Sequence, residues 1–256
     1  MKETRFVAIV AVAAMIVLAG CGAGGGGGNG TETTTGTPAG QSTATATPDP
    51  TVETVTYPEG LSGDGIENET RFRETLLEAM TTGPGYAVRM DVTAGEQTQT
   101  LRASTDPESE RIRSQTDRNG ELDYDIYYEN GTQYIRQAGE EDTYGTTNAT
   151  FRSAVEGLNG GQFLSTVLLL DLEATDVSTT DGQTVVTYAI DGPRESSEGI
   201  AGADGTVRID TDGRLVAFEY DLVSEQDQEV SVTWERTDVG EATVEEPDWL
   251  EQAEAN

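Results

Sequence analysis

From Tyr86 onward the chain keeps returning to one pattern, apolar and polar residues alternating with a period of two, broken by short turn signals. Tyr86, Val88, Met90 and Val92 form one such run, with Arg89 and Asp91 between them. Leu122, Tyr124, Ile126 and Tyr128 form another, as do Val186, Tyr188 and Ile190, then Val216, Phe218, Tyr220 and Leu222, then Val230, Val232 and Trp234. Successive side chains of a strand point to opposite faces, so each run predicts a strand with one dry and one wet side. Asn119-Gly120, Asn130-Gly131, Asp181-Gly182 and Asp212-Gly213 fall between runs, and such pairs favour the tight turns of antiparallel hairpins. Strands are expected near 86–92, 97–104, 109–115, 122–128 and 132–138, and again near 173–179, 183–190, 205–210, 214–223 and 228–237. Parallel pairing needs long crossovers, which these short connections do not supply.

Helical spacing occurs in two places. Phe72, Leu76, Leu77 and Met80 share one face of a segment from Asn68 to Met80; Asn68 suits the N-cap and Gly83-Pro84-Gly85 stops the helix. Thr150–Leu158 and Gln162–Leu170 read as two shorter helices, although the run Val167 to Leu170 also fits a buried strand. The expected fold is α+β. It consists of a large curved antiparallel sheet, an incomplete β-barrel, with an N-terminal helix and a helical insertion covering its concave face. A single domain is placed at 59–245, followed by an acidic C-terminal tail at 246–256.

The N-terminus has a different character. Lys2 and Arg5 precede an apolar run from Phe6 to Leu18, the layout of a secretory signal over residues 1–20. That run is shorter than the roughly 20 residues a membrane-spanning helix needs. Leu18-Ala19-Gly20-Cys21 is similar to the lipobox of bacterial and archaeal lipoproteins. The resemblance implies cleavage after Gly20, lipid on Cys21, and a protein anchored to the extracytoplasmic face of the cell membrane. Residues 21–58 are rich in Gly, Thr and Pro and nearly free of apolar side chains, so they are expected to stay disordered as a tether. A flexible tether of that length spans roughly 30–35 Å on average. Forty-seven acidic residues face 15 basic ones, for a net charge of −32, and Lys2 is the only lysine. This balance resembles that of proteins from halophilic archaea, where molar salt screens repulsion. It also argues against nucleic acid as a partner.

The order of helix, meander, helical insertion and closing hairpins such as Val207-Arg208-Ile209-Asp210-Thr211-Asp212-Gly213-Arg214-Leu215 resembles the LolA and LppX/LprG class of lipoprotein-localisation and lipid-carrier folds. The resemblance implies an apolar cavity able to take acyl chains, and hence a lipid or lipidated-protein ligand. Tyr86, Val88, Met90, Tyr124, Ile126, Tyr188, Phe218, Tyr220 and Trp234 are the candidate lining, and the same residues serve equally as an ordinary core.

Catalytic signals are sparse. The chain has no histidine, and Cys21 is its only cysteine, which leaves no imidazole base, no triad and no disulfide. Carboxylate pairs are everywhere, as expected of an acidic surface, and none stands out. Asp210-Thr211-Asp212-Gly213 begins like a calcium loop, but no oxygen ligand follows where the third one belongs, so a hairpin turn is the better reading. No metal and no cofactor is expected. Asn29, Asn68, Asn130 and Asn148 head Asn-X-Thr sequons and are candidate N-glycosylation sites in an exported chain, Asn68 serving as well as a helix cap. The expected protein is a monomeric, non-enzymatic, membrane-anchored lipoprotein that binds an apolar ligand. The alternative is a surface-exposed interaction or sensor module with a solid core.

Overall fold

A computed structural model describes residues 50–255 apart from 159, 160, 181, 196 and 198. The expected signal segment, Gly20, Cys21 and Asn29 lie outside the described residues. Residues 50–58, assigned to the tether on sequence grounds, group with the compact unit Pro50–Asn256. Val52, Val55 and Tyr57 pack on the core, and Pro58 is buried. A turn closed by the Val55 amide on the Thr51 carbonyl at 2.9 Å brings the two valines together.

A small hairpin, β1 (Leu61–Ser62) and β2 (Gly65–Ile66), precedes helix α1 (Glu69–Thr81). The first meander comprises β3 (Tyr86–Ala94), β4 (Gln97–Asp106), β5 (Arg111–Arg118), β6 (Glu121–Glu129), β7 (Thr132–Gln137) and β8 (Thr143–Asn148). Helices α2 (Phe151–Leu158) and α3 (Gly161–Val167) follow. The second meander comprises β9 (Leu170–Thr180), β10 (Gln183–Pro193), β11 (Ile200–Asp210), β12 (Leu215–Ser224) and β13 (Glu229–Thr237), and α4 (Leu250–Glu254) closes the chain.

The two meanders form one antiparallel sheet of 11 strands, ordered β8-β7-β6-β5-β4-β3-β13-β12-β11-β10-β9. The sheet is curved and not closed. Its seam is the pairing of β3 with β13, where Met90 stands opposite Trp234. Its two outermost strands, β8 and β9, are consecutive in sequence, so α2 and α3 must carry the chain from one edge to the other. They do so across the inner face, where Phe151, Ala154, Val155 and Leu158 of α2 join the core. The β9 edge is covered by the small hairpin, the Ala174 amide donating to the Gly63 carbonyl at 2.8 Å.

Helix α1 follows its sequence closely. Asn68 Oδ1 accepts from the Arg71 amide at 3.0 Å, a cap of about 1 kcal/mol. Phe72, Leu76, Leu77, Ala79 and Met80 are buried beneath it. Full burial of each large side chain contributes roughly 1.5–3 kcal/mol. At both predicted Asn-Gly turns the pair has positive φ, +51° and +84° at Asn119-Gly120 and +51° and +82° at Asn130-Gly131. That geometry matches the twist of the flanking strands.

Three expectations are corrected. Strand β8 lies outside the strands the alternation predicts, because Thr143-Tyr144-Gly145-Thr146-Thr147-Asn148 lacks that alternation; Tyr144 is its single large apolar side chain. The second inserted helix ends at Val167, since period-two burial begins at Leu170 and continues through Leu172 and Ala174. The C-terminal segment is folded: Trp249, Leu250 and Ala253 bury themselves against Tyr127, with Tyr134, Tyr144 and Val244 around them.

Strand β11 carries a glycine that its surroundings demand. At Gly205, φ is +144°, and a Cβ there would lie 2.1 Å from the Glu219 carbonyl oxygen and 2.7 Å from Tyr220 Cα. Gly205→Ala is expected to lower stability by about 2–3 kcal/mol, from a backbone conformation that side chains rarely adopt plus displacement of β12. Thermal unfolding followed by circular dichroism measures it, and an unchanged midpoint would show that β11 shifts freely.

Candidate functional site

The inner face of the sheet collects the inward side of the alternation. Across β10, β11, β12, β13, β3 and β4, Tyr188, Val207, Phe218, Trp234, Met90 and Leu101 stand opposite one another in one row. Every member is buried. Phe218 stacks on Trp234 with centroids 5.5 Å apart and planes 8° apart, and on Tyr220 at 5.5 Å and 16°.

Of the nine candidate lining residues, Tyr86, Val88, Met90, Tyr188, Phe218, Tyr220 and Trp234 belong to one buried core cluster. Ile126 is half-buried and packs against that cluster. Tyr124 is also half-buried but stands outside the cluster, next to a bulge between Thr116 and Asp117 in the pairing of β5 and β6. The residues thus share a face, and the helices lie directly on it.

That cover is attached to the sheet in a particular way. Helix α2 touches α1, β5 and β6. Its polar ties are the Ser114 hydroxyl donating to the Leu158 carbonyl at 3.0 Å and the ion pair of Arg73 on α1 with Glu156. Beneath the cover, the Tyr188 and Tyr220 hydroxyls are buried without a hydrogen-bond partner. Thr166 of α3 approaches Tyr220 without completing a hydrogen bond. Burial raises the pKa of both phenols well above the usual tyrosine value, so they stay neutral donors.

A charged side chain lies among the buried residues of this face. Arg236 stands opposite Val88 in the β13–β3 pairing and therefore leaves the sheet on the inner side. Its guanidinium lies 4.5 Å over the Tyr86 ring. Burial pulls its pKa down, Tyr86 opposes the shift, and nearby Arg214 adds to it.

The outer face holds a second constellation. Asp125 is buried to 1% exposure, and its carboxylate accepts from Arg113 Nε at 3.1 Å, Arg113 Nη2 at 2.9 Å, Gln115 Nε2 at 3.1 Å and Trp249 Nε1 at 2.9 Å. Beside it, an open groove of about 400 Å³ is lined by Arg89, Arg102 and Arg113 under Thr243 and Glu245. Each of these arginines is matched by an aspartate, Asp91, Asp117 and Asp125 respectively, so the groove is neutralised rather than cationic.

Asp210, the first residue of the calcium-like turn, is likewise buried and saturated. It accepts from Gln183 Nε2 at 2.6 Å, the Asp212 and Arg214 amides at 3.0 and 2.7 Å, and Arg214 Nη1 at 3.4 Å. These donors occupy the oxygens a cation would need. Among the sequons, Asn68, Asn130 and Asn148 are exposed. Asn130 and Asn148 meet at one corner of the sheet, where the Ala149 amide donates to the Gly131 carbonyl at 3.0 Å. Sequence reasoning missed Arg236, Asp125 and Trp249. Arg236 continues the inward parity of Val230, Val232 and Trp234, and that parity is the signal that could have found it.

The class defined by this geometry is an open antiparallel sheet with an apolar inner face, covered by helices strung between its two edge strands. Within that class, the chain belongs to DUF7537, a family of unknown function, whose profile matches residues 6–253. No curated protein matches the chain. Among solved structures, it is similar to the lipoprotein LppX of Mycobacterium tuberculosis, with 13% identity, 68% of this chain and 95% of that one covered, and a TM-score of 0.37. A chain of the Pseudomonas aeruginosa MucA/MucB complex gives 15%, 72%, 60% and 0.34 for the same quantities. A LolA-superfamily protein of Nitrosomonas europaea gives 7%, 69%, 94% and 0.28.

Proposed function

We propose that this chain is an exported lipoprotein, anchored through Cys21 to the outer face of a membrane, whose inner face binds an apolar ligand, a lipid or a lipidated protein, without enzymatic chemistry. The observation that carries the reading is the cover of that face. Helices α2 and α3 link the two edge strands across the inner face, so lifting them uncovers part of the apolar face while every strand pairing stays intact. The unpaired Tyr188 and Tyr220 hydroxyls lie where a bound ligand's polar atoms would satisfy them. The structure is then the closed form, with the helices occupying the ligand's place.

The absence of enzymatic activity is supported by chemistry rather than by shape. The chain has no histidine, and its buried carboxylates among the described residues, Asp125 and Asp210, are each already held by several donors. No described helix is long and apolar enough to cross a membrane; the proposed anchor, lipid on Cys21, rests on the Leu18-Ala19-Gly20-Cys21 motif. Glycans on Asn130 and Asn148 would shield the corner beside the free β8 edge.

Native mass spectrometry of the exported chain, purified at high salt, tests the proposal. Co-bound lipid displaced by a fluorescent fatty acid is the expected result, and neither adduct nor saturable displacement would overturn it. A second reading, an interaction module with a solid core, is favoured by the tight burial of the inner residues. It predicts a stable envelope partner retained by a protein that carries no lipid.

The charge balance yields a further expectation. With a net charge of −32, self-repulsion opposes the compact state. Raising salt from about 0.1 M to about 1 M shortens the screening length from roughly 10 Å to roughly 3 Å. The thermal midpoint should therefore rise steadily with KCl concentration. A flat or falling midpoint would count against adaptation to high salt.

A further inference from the structure

Arginine is the chain's principal cation, and in this structure it is nearly always matched with a carboxylate. Ten of the described arginines lie within ion-pairing distance of an aspartate or glutamate. Among the described residues, Arg152 and Arg208 are not so paired, and both are exposed to water. Arg236 is the exception that is not exposed.

The unpaired atoms of Arg236 are its Nε and Nη2, both sealed from solvent. These two N–H groups form one edge of the guanidinium, the fork that grips both oxygens of a carboxylate or phosphate side-on. The same edge is filled elsewhere in this protein: Arg89 gives it to Asp91 at 2.7 and 3.0 Å, and Arg113 gives it to Asp125 at 3.1 and 2.9 Å. At Arg236 the ring of Tyr86 covers the face of the guanidinium and leaves that edge empty. Tyr86 is itself fixed, its hydroxyl donating to the Met80 carbonyl at 3.1 Å near the end of α1.

No neighbouring group hydrogen-bonds to that edge, although the charge of Asp210 acts on Arg236 from a distance. Asp210 is the nearby carboxylate, and four donors already occupy it. The other charged neighbour is Arg214, a second cation, whose own Nε is also buried and unpaired. A desolvated cation beside another cation, in a chain so rich in carboxylates, is a costly arrangement that one Asp on a facing strand would have relieved.

We propose that Arg236 is a ligand-binding residue, and that its open edge takes the oxyanion, carboxylate or phosphate, of an amphiphile whose chain lies along the inner face. The inference deepens the proposed function and rests on it for the apolar part of the ligand. It narrows the ligand class to anionic amphiphiles and orients them, head toward the Tyr86 end of β3 and tail toward the stacked Trp234, Phe218 and Tyr220.

The test compares wild type with Arg236→Met, which keeps the side chain's length and removes its charge, and with Arg236→Lys, which keeps the charge and removes the fork. Equilibrium binding of palmitate, hexadecanol and inorganic phosphate is measured on the full chain at high salt, together with thermal unfolding of each variant without ligand. The expected result is that wild type prefers palmitate to hexadecanol, and that Arg236→Met loses about tenfold or more in palmitate affinity while hexadecanol binding is unchanged. Arg236→Lys should fall between them, and Arg236→Met without ligand should unfold no earlier than wild type. Equal palmitate binding by wild type and Arg236→Met would overturn the inference and leave the apolar-ligand reading standing. Phosphate binding that needs Arg236, without binding of either long-chain compound, would keep the anion site and remove the apolar ligand. Binding of none of the three would remove both. A large loss of stability in Arg236→Met, with palmitate binding intact, would make Arg236 a structural cation.

Discussion

Trp234→Ala should remove about 3–5 kcal/mol of stability, the range for truncating a large aromatic side chain in a packed core. Trp234 is 2% exposed and stacked on Phe218, which is stacked in turn on Tyr220. Truncation therefore loses transfer energy, leaves a cavity and removes a stacked pair worth about 0.5–1.5 kcal/mol beyond its area. Position enlarges the effect. Trp234 faces Met90 across the pairing of β13 with β3, the seam that joins the two meanders. Loosening it weakens the cooperation between the halves as well as one local contact. Domains of this size have about 5–15 kcal/mol to lose, so the variant should sit near its unfolding threshold at low salt. Denaturant unfolding at high salt measures the change. Trp234→Phe should recover much of it, and a loss below about 1 kcal/mol for alanine would show that the seam does not govern stability.

How much of this was readable in advance depends on which physics set each element. The strands around Tyr86, Tyr188, Phe218 and Trp234 announce themselves because one face of each is dry along its whole length, and Asn119-Gly120 and Asn130-Gly131 admit few other turns. Helix α1 was equally plain, since its cap, apolar stripe and stop are all local. Strand β8 was not, because its pairing with β7 and the packing of Tyr144 on Trp249, with centroids 6.2 Å apart, are decided by distant residues. The C-terminal segment misled for a related reason. Glu245, Glu246, Asp248, Glu251 and Glu254 dominate its composition, while Trp249, Leu250 and Ala253 alone make the contact that folds it. The inner face was legible as a set of residues, since parity alone assigns Tyr86, Val88, Met90 and Trp234 to one side. Whether helices fill that side or a ligand does depends on the path of α2 and α3, which periodicity does not specify. Arg236 escaped notice because the inward face of its strand was traced through the apolar residues Val230, Val232 and Trp234 alone, and a charged residue of the same parity was not counted with them.

Asp125→Ala should cost about 3–5 kcal/mol, because it strips a buried carboxylate from its donors and leaves the Arg113 guanidinium, whose side chain is 22% exposed, without its counter-charge. The indole N–H of Trp249 loses its acceptor at the same time, so the C-terminal helix should detach from Tyr127, Tyr134 and Tyr144 before the sheet unfolds. Hydrogen exchange resolves this, with residues 244–255 losing protection first in the variant. The wild type carries the same information in its pH dependence. Burial alone would raise the Asp125 pKa, but the hydrogen bonds from Arg113, Trp249 and Gln115 outweigh it and hold the group below the usual carboxylate value. A carboxylate with a depressed folded-state pKa stabilises the fold at every pH above its unfolded value, about 3.9. That contribution is lost as pH falls below about 4 and through the folded-state value, where the folded carboxylate takes up its proton. Acidification should therefore release the C-terminal helix, seen as a red shift in Trp249 emission, at a pH where the Trp234 core is still intact. In Asp125→Asn that acid-induced step should be absent. Its persistence there would place the pH sensitivity elsewhere among the surface carboxylates, and simultaneous exposure of both tryptophans would show that the helix and the sheet unfold as one unit.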